Sequence, residues 1–246
     1  MKITNAQSNT SVAEISDRIY RISTPVPPNP GLPGGFTFNQ YLIVDDQPLL
    51  FHSGPRNLFG LVREAIEAVM PVSKLRYIGL SHTEADECGA LNALLAVAPD
   101  SSPLCGAVAK MVSIDDIADR EARGMGDGEE LALGKHTVRW LDAPHLPHGW
   151  DCGYLFETST RTLLCGDLFT QPGATHEPLT EGDILGPSEA MRAQLDYYAH
   201  STHTVGLLAK LAETSPRTLA CMHGAAWQGN GAKLLGELSR ELTKKA

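Results

Sequence analysis

The chain has 246 residues and a formal net charge of −9, and 42% of its residues are hydrophobic against 20% charged. This length supports one large folded domain, and the composition excludes fibrous and intrinsically disordered classes. Because the chain is acidic and lacks a Lys/Arg cluster, we expect neither nucleic acid nor a membrane as partner. No apolar run approaches the ~18 residues of a membrane-spanning helix, and residues 1–7 lack the apolar core of a secretion signal.

The five cysteines form no CxxC pair, and their number is odd. Together with the absent secretion signal, this pattern predicts reduced thiols and a cytoplasmic location. We therefore expect small buried core residues, because free cysteine usually packs as an apolar side chain.

The first half of the chain predicts strands that give way to alternating helices and strands. We expect strands at 15–23, 39–44, 48–52 and 75–80, helices at 57–70 and 86–97, and a further strand and helix within 103–120. A loop rich in proline and glycine follows the first strand, and the glycine-rich residues 123–128 predict a mobile loop.

The second half begins with short strands and ends with helices. We expect strands at 129–133, 136–142, 152–157, 162–166 and 217–222, and helices at 188–213 and 231–244. Pro187 suits the first turn of the longer helix. This alternation predicts an α/β sandwich with helices outside two sheets, as a single domain over residues 1–246.

An acidic cluster with one histidine follows the predicted strand at 75–80. In an extended segment, His82, Glu84 and Asp86 would point to one side. Carboxylates that converge without a basic partner repel one another unless a cation lies between them. The alternative is that Asp86 and Glu87 only complement a helix N-terminus while Glu84 is solvated.

Three more strand ends carry similar side chains. Residues 144–150 place two histidines, His145 and His148, in a proline-rich loop, while Asp167 and His223 each follow an apolar strand. A single histidine at such a position is more often a hydrogen-bonded core residue. Several such sites with nitrogen and oxygen donors but no cysteine pair favour a metal centre instead.

This arrangement resembles the metallo-β-lactamase superfamily, whose fold is a four-layer αββα sandwich with metal ligands in loops at one edge. The residues that carry the resemblance are the hairpin at 39–54, the pattern His82-x-Glu84-x-Asp86, and then His148, Asp167 and His223 in that order. Hydrolases of the superfamily usually have a histidine where this chain has Glu84. A glutamate there is typical of the flavodiiron proteins and of smaller oxygen-binding diiron proteins.

The resemblance implies a ligand set for two metal ions. His82, Glu84 and His148 would hold the first metal, Asp167 would bridge, and the second would be bound by Asp86 and His223. The related branch has a histidine directly after the aspartate, where this chain has Glu87. Glu87 would either replace it as an oxygen ligand or leave a coordination position open to water.

Two further histidines receive other roles. His145 competes with His148 for one ligand position, and we favour His148 because the residues after it lead into a strand, as in the family's loop. His145 then either hydrogen-bonds a metal ligand without binding the metal itself or faces the substrate as a proton donor, and it is the candidate catalytic residue. His52 stands where many superfamily members have a structural aspartate, so we expect a hydrogen-bonded loop role for it.

The carboxylate-rich donor set favours iron, with zinc or manganese as alternatives. The resemblance implies a non-haem diiron site that binds dioxygen. Too few residues follow His223 for a flavodoxin-like domain, so we expect binding or sensing with a redox or signalling protein as partner. The alternative is a zinc or manganese hydrolase that attacks an ester, lactone or thioester with a metal-bound hydroxide. Whether the chain is an enzyme and whether it forms a homodimer stay open.

Overall fold

Two β-sheets pack face to face in the computed structural model of the protein, which describes residues 1–244. Within these residues the first sheet has eight strands in chain order: β1 (Lys2–Asn5), β2 (Thr10–Ser16), β3 (Ile19–Val26), β4 (Phe36–Ile43), β5 (Leu49–Phe51), β6 (Tyr77–Gly79), β7 (Ser102–Gly106) and β8 (Arg123–Met125). Pairing is antiparallel from β1 to β5 and parallel from β5 to β8.

The second sheet has seven strands in the described chain, in the order β13-β15-β14-β12-β11-β10-β9. They are β9 (Glu130–Ala132), β10 (Thr137–Asp142), β11 (Gly153–Glu157), β12 (Thr162–Leu164), β13 (Leu179–Thr180), β14 (Thr218–Ala220) and β15 (Ala226–Gln228). The neighbours β12 and β14 are parallel, so both strands end at the same edge of the sheet.

Helices lie on the outer faces of the two sheets. The α-helices are α1 (Phe59–Glu67), α2 (Ala85–Cys88), α3 (Leu91–Val97), α4 (Ala107–Ala109), α5 (Asp115–Ile117), α6 (Leu185–Leu195), α7 (Thr204–Glu213) and α8 (Gly231–Thr243). Two short 3₁₀ turns span Arg56–Leu58 and Val72–Lys74, and a π-helical turn spans Lys110–Ile114.

The buried apolar residues of the described chain form three clusters, one for each interface of a four-layer structure. Phe51, Trp140 and Leu155 belong to the cluster between the two sheets. Residues of α1 and α3 pack on the outer face of the first sheet, and residues of α7 and α8 pack on that of the second. Burying apolar area on both faces of each sheet is what holds these layers together. The predicted αββα sandwich is confirmed.

Some predicted elements are divided in the structure. The strand expected at 15–23 is two strands, because the chain turns at Arg18 with a φ of 50°. The helix expected at 86–97 is interrupted after α2, whose C-cap is Gly89. The helix expected at 188–213 is α6 and α7, because Asp196 adopts a left-handed conformation and ends α6. Pro187 does lie in the first turn of α6.

Other elements differ from their predicted type or were not expected. Residues 123–125 were predicted as part of a mobile loop, but they form β8 and pair in parallel with β7. The strands β1, β13 and β15 were not predicted. Each is short and lacks a clear alternation, and long-range pairing rather than local pattern makes it a strand.

All five cysteines are free and buried, as predicted. Their thiols serve as small apolar side chains of the core. None of the helices described for residues 1–244 is long and apolar enough to cross a membrane.

Candidate metal centre

The predicted metal-binding residues gather at one edge of the sandwich. His82 follows β6, His148 lies in the loop between β10 and β11, and Asp167 follows β12. His223 follows β14, the parallel neighbour of β12. Loops at the carboxyl ends of parallel strands meet at one edge, which brings side chains that are distant in sequence into contact.

One side of the cluster consists of two imidazoles and a carboxylate. The Nε2 atoms of His82 and His148 are 3.1 Å apart. Glu84 Oε1 lies 3.1 Å from His148 Nε2, and its Oε2 lies 3.9 Å from His82 Nε2. Three ligand atoms of different residues thus converge within the spacing at which one metal ion can contact them all.

Asp167 joins this side of the cluster to the other. Its Oδ2 atom lies 3.5 Å from the Nε2 atoms of both His82 and His148. Its Oδ1 atom lies 3.2 Å from His223 Nε2, which is also 3.4 Å from Asp86 Oδ2. The two oxygens of one buried carboxylate therefore face two different sets of donors.

The backbone fixes which nitrogen of two histidines faces the cluster. His148 Nδ1 is 2.9 Å from the Tyr197 carbonyl oxygen, and His223 Nδ1 is 2.8 Å from the Thr37 carbonyl oxygen. A carbonyl oxygen only accepts hydrogen bonds, so each Nδ1 carries the proton and donates it. The Nε2 atom of each ring therefore faces the cluster, which is the orientation that metal-binding histidines adopt.

A hydroxyl group links His82 to His52. The Ser81 Oγ atom is 2.9 Å from His82 Nδ1 and 2.9 Å from His52 Nε2. His52 is buried, and burial lowers its pKa to about 3, so its ring is neutral. The hydrogen-bonded loop role predicted for His52 is confirmed. Ser81 was not identified from the sequence, where a serine before a histidine carries no specific signal.

Glu87 is fully buried, and neither of its carboxylate oxygens has a hydrogen-bond partner among the described residues. Burial, followed by the neighbouring carboxylates of Asp167 and Asp86, raises its pKa well above the usual range. Its carboxylate lies within the ligand-atom spacing of His82 and Asp167. A buried acid without donors is costly, and a cation would compensate it.

The other acids of the cluster interact with His223. Burial alone would raise the pKa of Asp86 and of Asp167, but hydrogen bonding to His223 lowers both. Burial alone would lower the pKa of His223, but hydrogen bonds to Asp167 and Asp86 outweigh it and raise the pKa to about 9. The cluster therefore has a surplus of negative charge that stabilises positive charge within it.

The acidic segment does not have the conformation predicted for it. Glu84 is extended, but Asp86 and Glu87 belong to the first turn of α2. The side chains reach one region because a bend and a helical turn direct them there, not because of strand alternation. The alternative role of Asp86 and Glu87 at a helix N-terminus describes their position correctly, yet α2 has only four residues and a weak dipole.

His145 stays outside the cluster. It is exposed, its φ is 64°, and its backbone N–H donates to the Gly149 carbonyl oxygen. It is absent from the groups of converging ligand atoms found in the described chain. The structure therefore gives no support to the catalytic role predicted for His145, while His148 takes the position beside His82.

Two aromatic rings that the sequence analysis did not single out enclose His223. Phe36 stacks on its imidazole with ring centroids 4.2 Å apart, and Phe38 meets it edge-on at 5.5 Å. Both belong to β4, where they are two residues apart and so share one face. Their alternation was a usable signal, but nothing local indicated that His223 lay opposite.

Comparison with known proteins places this geometry in a family. Residues 36–224 match the ODP family beta lactamase. The chain is 26% identical over 215 residues to a nitric oxide reductase from Moorella thermoacetica, covering 84% of this chain and 53% of that protein. It is 27% identical over 206 residues to a rubredoxin-oxygen oxidoreductase from Megalodesulfovibrio gigas, covering 80% and 50%. The chain thus spans about half the length of these curated relatives.

Solved structures agree on the fold. The rubredoxin oxygen:oxidoreductase from Desulfovibrio gigas has a TM-score of 0.77 at 24% identity, over 94% of this chain and 62% of that one. A fragment of a putative diflavin flavoprotein from Nostoc sp. PCC 7120 has a TM-score of 0.81 at 19% identity, over 95% and 96%. The predicted resemblance to the metallo-β-lactamase superfamily and its flavodiiron branch is confirmed. The chain belongs to the ODP family of beta-lactamase-fold domains.

Proposed function

We propose that the cluster holds two metal ions. His82, Glu84 and His148 bind the first, Asp86 and His223 bind the second, and Asp167 bridges them. The observation that carries this proposal is the position of Asp167, whose two oxygens face the two sets of donors at 3.2 to 3.5 Å. Carboxylates and imidazoles from several loops that converge this closely, with no lysine or arginine paired to them among the described residues, fit a cation better than a hydrogen-bonded core.

Glu87 completes the second site as an oxygen ligand. Its buried, unpartnered carboxylate supports this role over the open coordination position that the sequence also allowed. An acid at this position makes the second site harder and more anionic than an imidazole would.

The metal is iron, and the domain uses it to bind and reduce dioxygen or nitric oxide. The relatives described above are named for the reduction of these molecules, which favours reduction over binding or sensing alone. When bound, two ferrous ions would supply one electron each to the small molecule. A redox protein or flavin module then has to restore those electrons, as the name of the rubredoxin-oxygen oxidoreductase indicates for that relative.

The protein's own side chains determine how a small molecule approaches. The Glu84 and His148 side chains are 49% and 23% exposed, whereas His82 and Asp167 are buried. Dioxygen or nitric oxide therefore enters beside Glu84 and His148. Phe36 and Phe38 cover His223 and keep water from the opposite side.

Metal analysis and a redox assay test this proposal. Protein purified anaerobically from iron-rich medium is expected to contain two irons per chain and to change its visible spectrum in air. With reduced rubredoxin as donor, it should consume dioxygen or nitric oxide. The matched control is the same protein loaded with zinc, which has no redox chemistry and should consume neither.

Retention of zinc with no iron uptake and no colour change would contradict the iron assignment. Chelator-sensitive hydrolysis of a nitrophenyl ester by the zinc or manganese form would support the hydrolase alternative instead. None of the described side chains specifically favours that alternative, and the relatives named above are redox proteins.

A further inference from the structure

A buried chain of hydrogen bonds lies behind His82, on the side away from the metal cluster. Ser81 is fully buried, and its hydroxyl has two partners among the described residues, His82 Nδ1 at 2.9 Å and His52 Nε2 at 2.9 Å. The other nitrogen of His82, Nε2, lies 3.5 Å from Asp167 Oδ2 in the cluster. The Ser81 hydroxyl therefore connects a proposed metal ligand to a histidine outside the ligand set.

The backbone and a neighbouring ring hold His52 in place. Its N–H donates to the Gly79 carbonyl oxygen at 2.7 Å, and its φ of 69° lies in the left-handed region. The imidazole stacks on the Phe51 ring with centroids 4.2 Å apart, and the residue is only 1% exposed. Phe51 belongs to the core between the two sheets, so close-packed surroundings fix the position of His52 Nε2.

The Ser81 hydroxyl has one proton, so it can donate to only one of the two rings. If it accepted from both rings, its own proton would be buried without an acceptor, which is costly. Two arrangements remain. In the first, His82 Nδ1–H donates to Ser81, which donates to His52 Nε2. In the second, His52 Nε2–H donates to Ser81, which donates to His82 Nδ1.

Metal binding at His82 Nε2 selects the first arrangement. A nitrogen that binds a metal ion carries no proton, so the proton of the neutral imidazole is on Nδ1. Ser81 accepts from this Nδ1–H and directs its own proton to His52, whose Nε2 must offer a lone pair. His52 is neutral because burial lowers its pKa to about 3, and its single proton is then on Nδ1.

We propose that His52 and Ser81 are positioning residues for the first metal. His52 Nε2 accepts the Ser81 proton, Ser81 Oγ accepts from His82 Nδ1–H, and His82 Nε2 is thereby directed to the metal. This inference rests on the proposed metal centre and extends it to two residues that bind no metal. Partners behind a metal-binding histidine fix its tautomer and ring orientation, and their loss typically lowers metal affinity by about 10- to 100-fold.

The second ring nitrogen of His52 makes the arrangement recognisable. Its Nδ1 is buried and has no hydrogen-bond partner among the described residues. The first arrangement makes this atom an unpaired donor, and the second makes it an unpaired acceptor. Since no acceptor within residues 1–244 favours a proton on His52 Nδ1, a proton found there is evidence for donation from Ser81 to Nε2.

Nitrogen NMR of the full chain with isotope-labelled histidine tests the proposal, because it distinguishes protonated from unprotonated ring nitrogens. In the zinc-loaded protein, His52 and His82 are both expected to carry their protons on Nδ1. The matched control is His136, a buried histidine whose Nδ1 lies 3.1 Å from Glu157 and which is outside the metal cluster. Its ring signals should be the same with and without zinc.

Two failures of this experiment can be distinguished. If zinc changed the ring signals of His148 and His223 but His52 carried its proton on Nε2, the positioning role would be wrong and the metal centre would stand. If zinc changed the signals of neither His148 nor His223, the proposed metal centre would be wrong, and the positioning role with it.

Two variants of His52 separate hydrogen bonding from packing. His52→Leu keeps buried bulk but offers Ser81 no acceptor, so the zinc affinity of the first site should fall about tenfold. In His52→Gln the amide oxygen can accept from Ser81 in place of Nε2, and most of the affinity should return. Competition with a coloured chelator measures both affinities. Equal affinities of the two variants would overturn the proposal.

Ser81→Ala tests the middle of the hydrogen-bond chain. It should also lower the zinc affinity about tenfold, and the double variant with His52→Leu should lose little more than either single variant, because both substitutions break the same chain. Additive losses would show that the two residues act independently and would contradict the proposal. Should a variant fail to fold, the tautomer of His52 in the zinc-loaded wild type decides the question.

Discussion

Two glutamates, Glu87 and Glu157, are both fully buried, yet they have opposite surroundings. Glu157 lies at the end of β11 away from the metal cluster. It accepts hydrogen bonds from the backbone and hydroxyl groups of Ser159 and Thr160 and lies 3.1 Å from His136 Nδ1. Glu87 has no partner for either oxygen in the described chain.

The difference shows how a protein can bury a carboxylate. Burial by itself raises the pKa of both acids, but at Glu157 the hydrogen bonds from Ser159 and Thr160 outweigh it and lower the pKa. At Glu87 the neighbouring acids add to the effect of burial. Glu157 is stabilised in its charged form by hydrogen bonds from the fold itself, whereas the surroundings of Glu87 disfavour its charged form.

Substitution of Asp167, the proposed bridging ligand, should have the largest effect on metal binding. Asp167→Asn is expected to lose both metals or to keep one weakly bound, because the amide cannot neutralise two cations. Metal content by mass spectrometry of the purified variant measures this. Glu157→Gln is the matched control and should keep full metal content, and two tightly bound metals in Asp167→Asn would refute the bridging role.

Chelation should destabilise the wild type strongly. Metal bound at several hundred times its dissociation constant contributes about 4 kcal/mol, which corresponds to roughly 10 °C in melting temperature for a chain of this size. Calorimetry with and without chelator measures the shift. Asp167→Asn should show little change on chelation. If the chelator left the melting temperature of the wild type unchanged, a metal-free cluster would be favoured.

Glu157→Gln should lower the free energy of unfolding by about 2–3 kcal/mol, with or without metal, because the charged acceptor of several buried donors is lost. The folded pKa of Glu157 is lowered from 4.5, so its stabilisation is present above pH 4.5 and is lost as the pH falls through the folded pKa. Urea titrations at several pH values should therefore show the variant converging on the wild type in acid. A constant difference at all pH values would contradict this.

Glu87→Gln should have the smallest effect on the fold and a selective effect on the metal. We expect the affinity of the second metal to fall about tenfold, as a neutral amide is the poorer ligand, while the stability of the chelated protein changes by less than about 1 kcal/mol. Competition with a coloured chelator measures the affinity. Unchanged affinity would show that Glu87 is only an acid in the first turn of α2.

The sequence was informative wherever chemistry coincided with the end of a strong local pattern. Asp167 and His223 each follow an apolar strand, and this position predicts both as candidate ligands. The divided helices and the strand β8 were missed, because a left-handed residue or a distant strand partner determines them. Thr37 was missed for the same reason, since its partner His223 is more than 180 residues away.

His223 belongs to one sheet by its backbone and to the other by its side chain. It follows β14 of the second sheet, and its Nδ1 donates to Thr37 in β4 of the first. Nearby, the Asn39 N–H donates to the Met222 carbonyl oxygen and the Tyr41 hydroxyl donates to that of Cys221. A metal bound by His223 would therefore be linked to both sheets. Its capture during refolding would report that the halves of the chain have docked, because neither half contains the complete site.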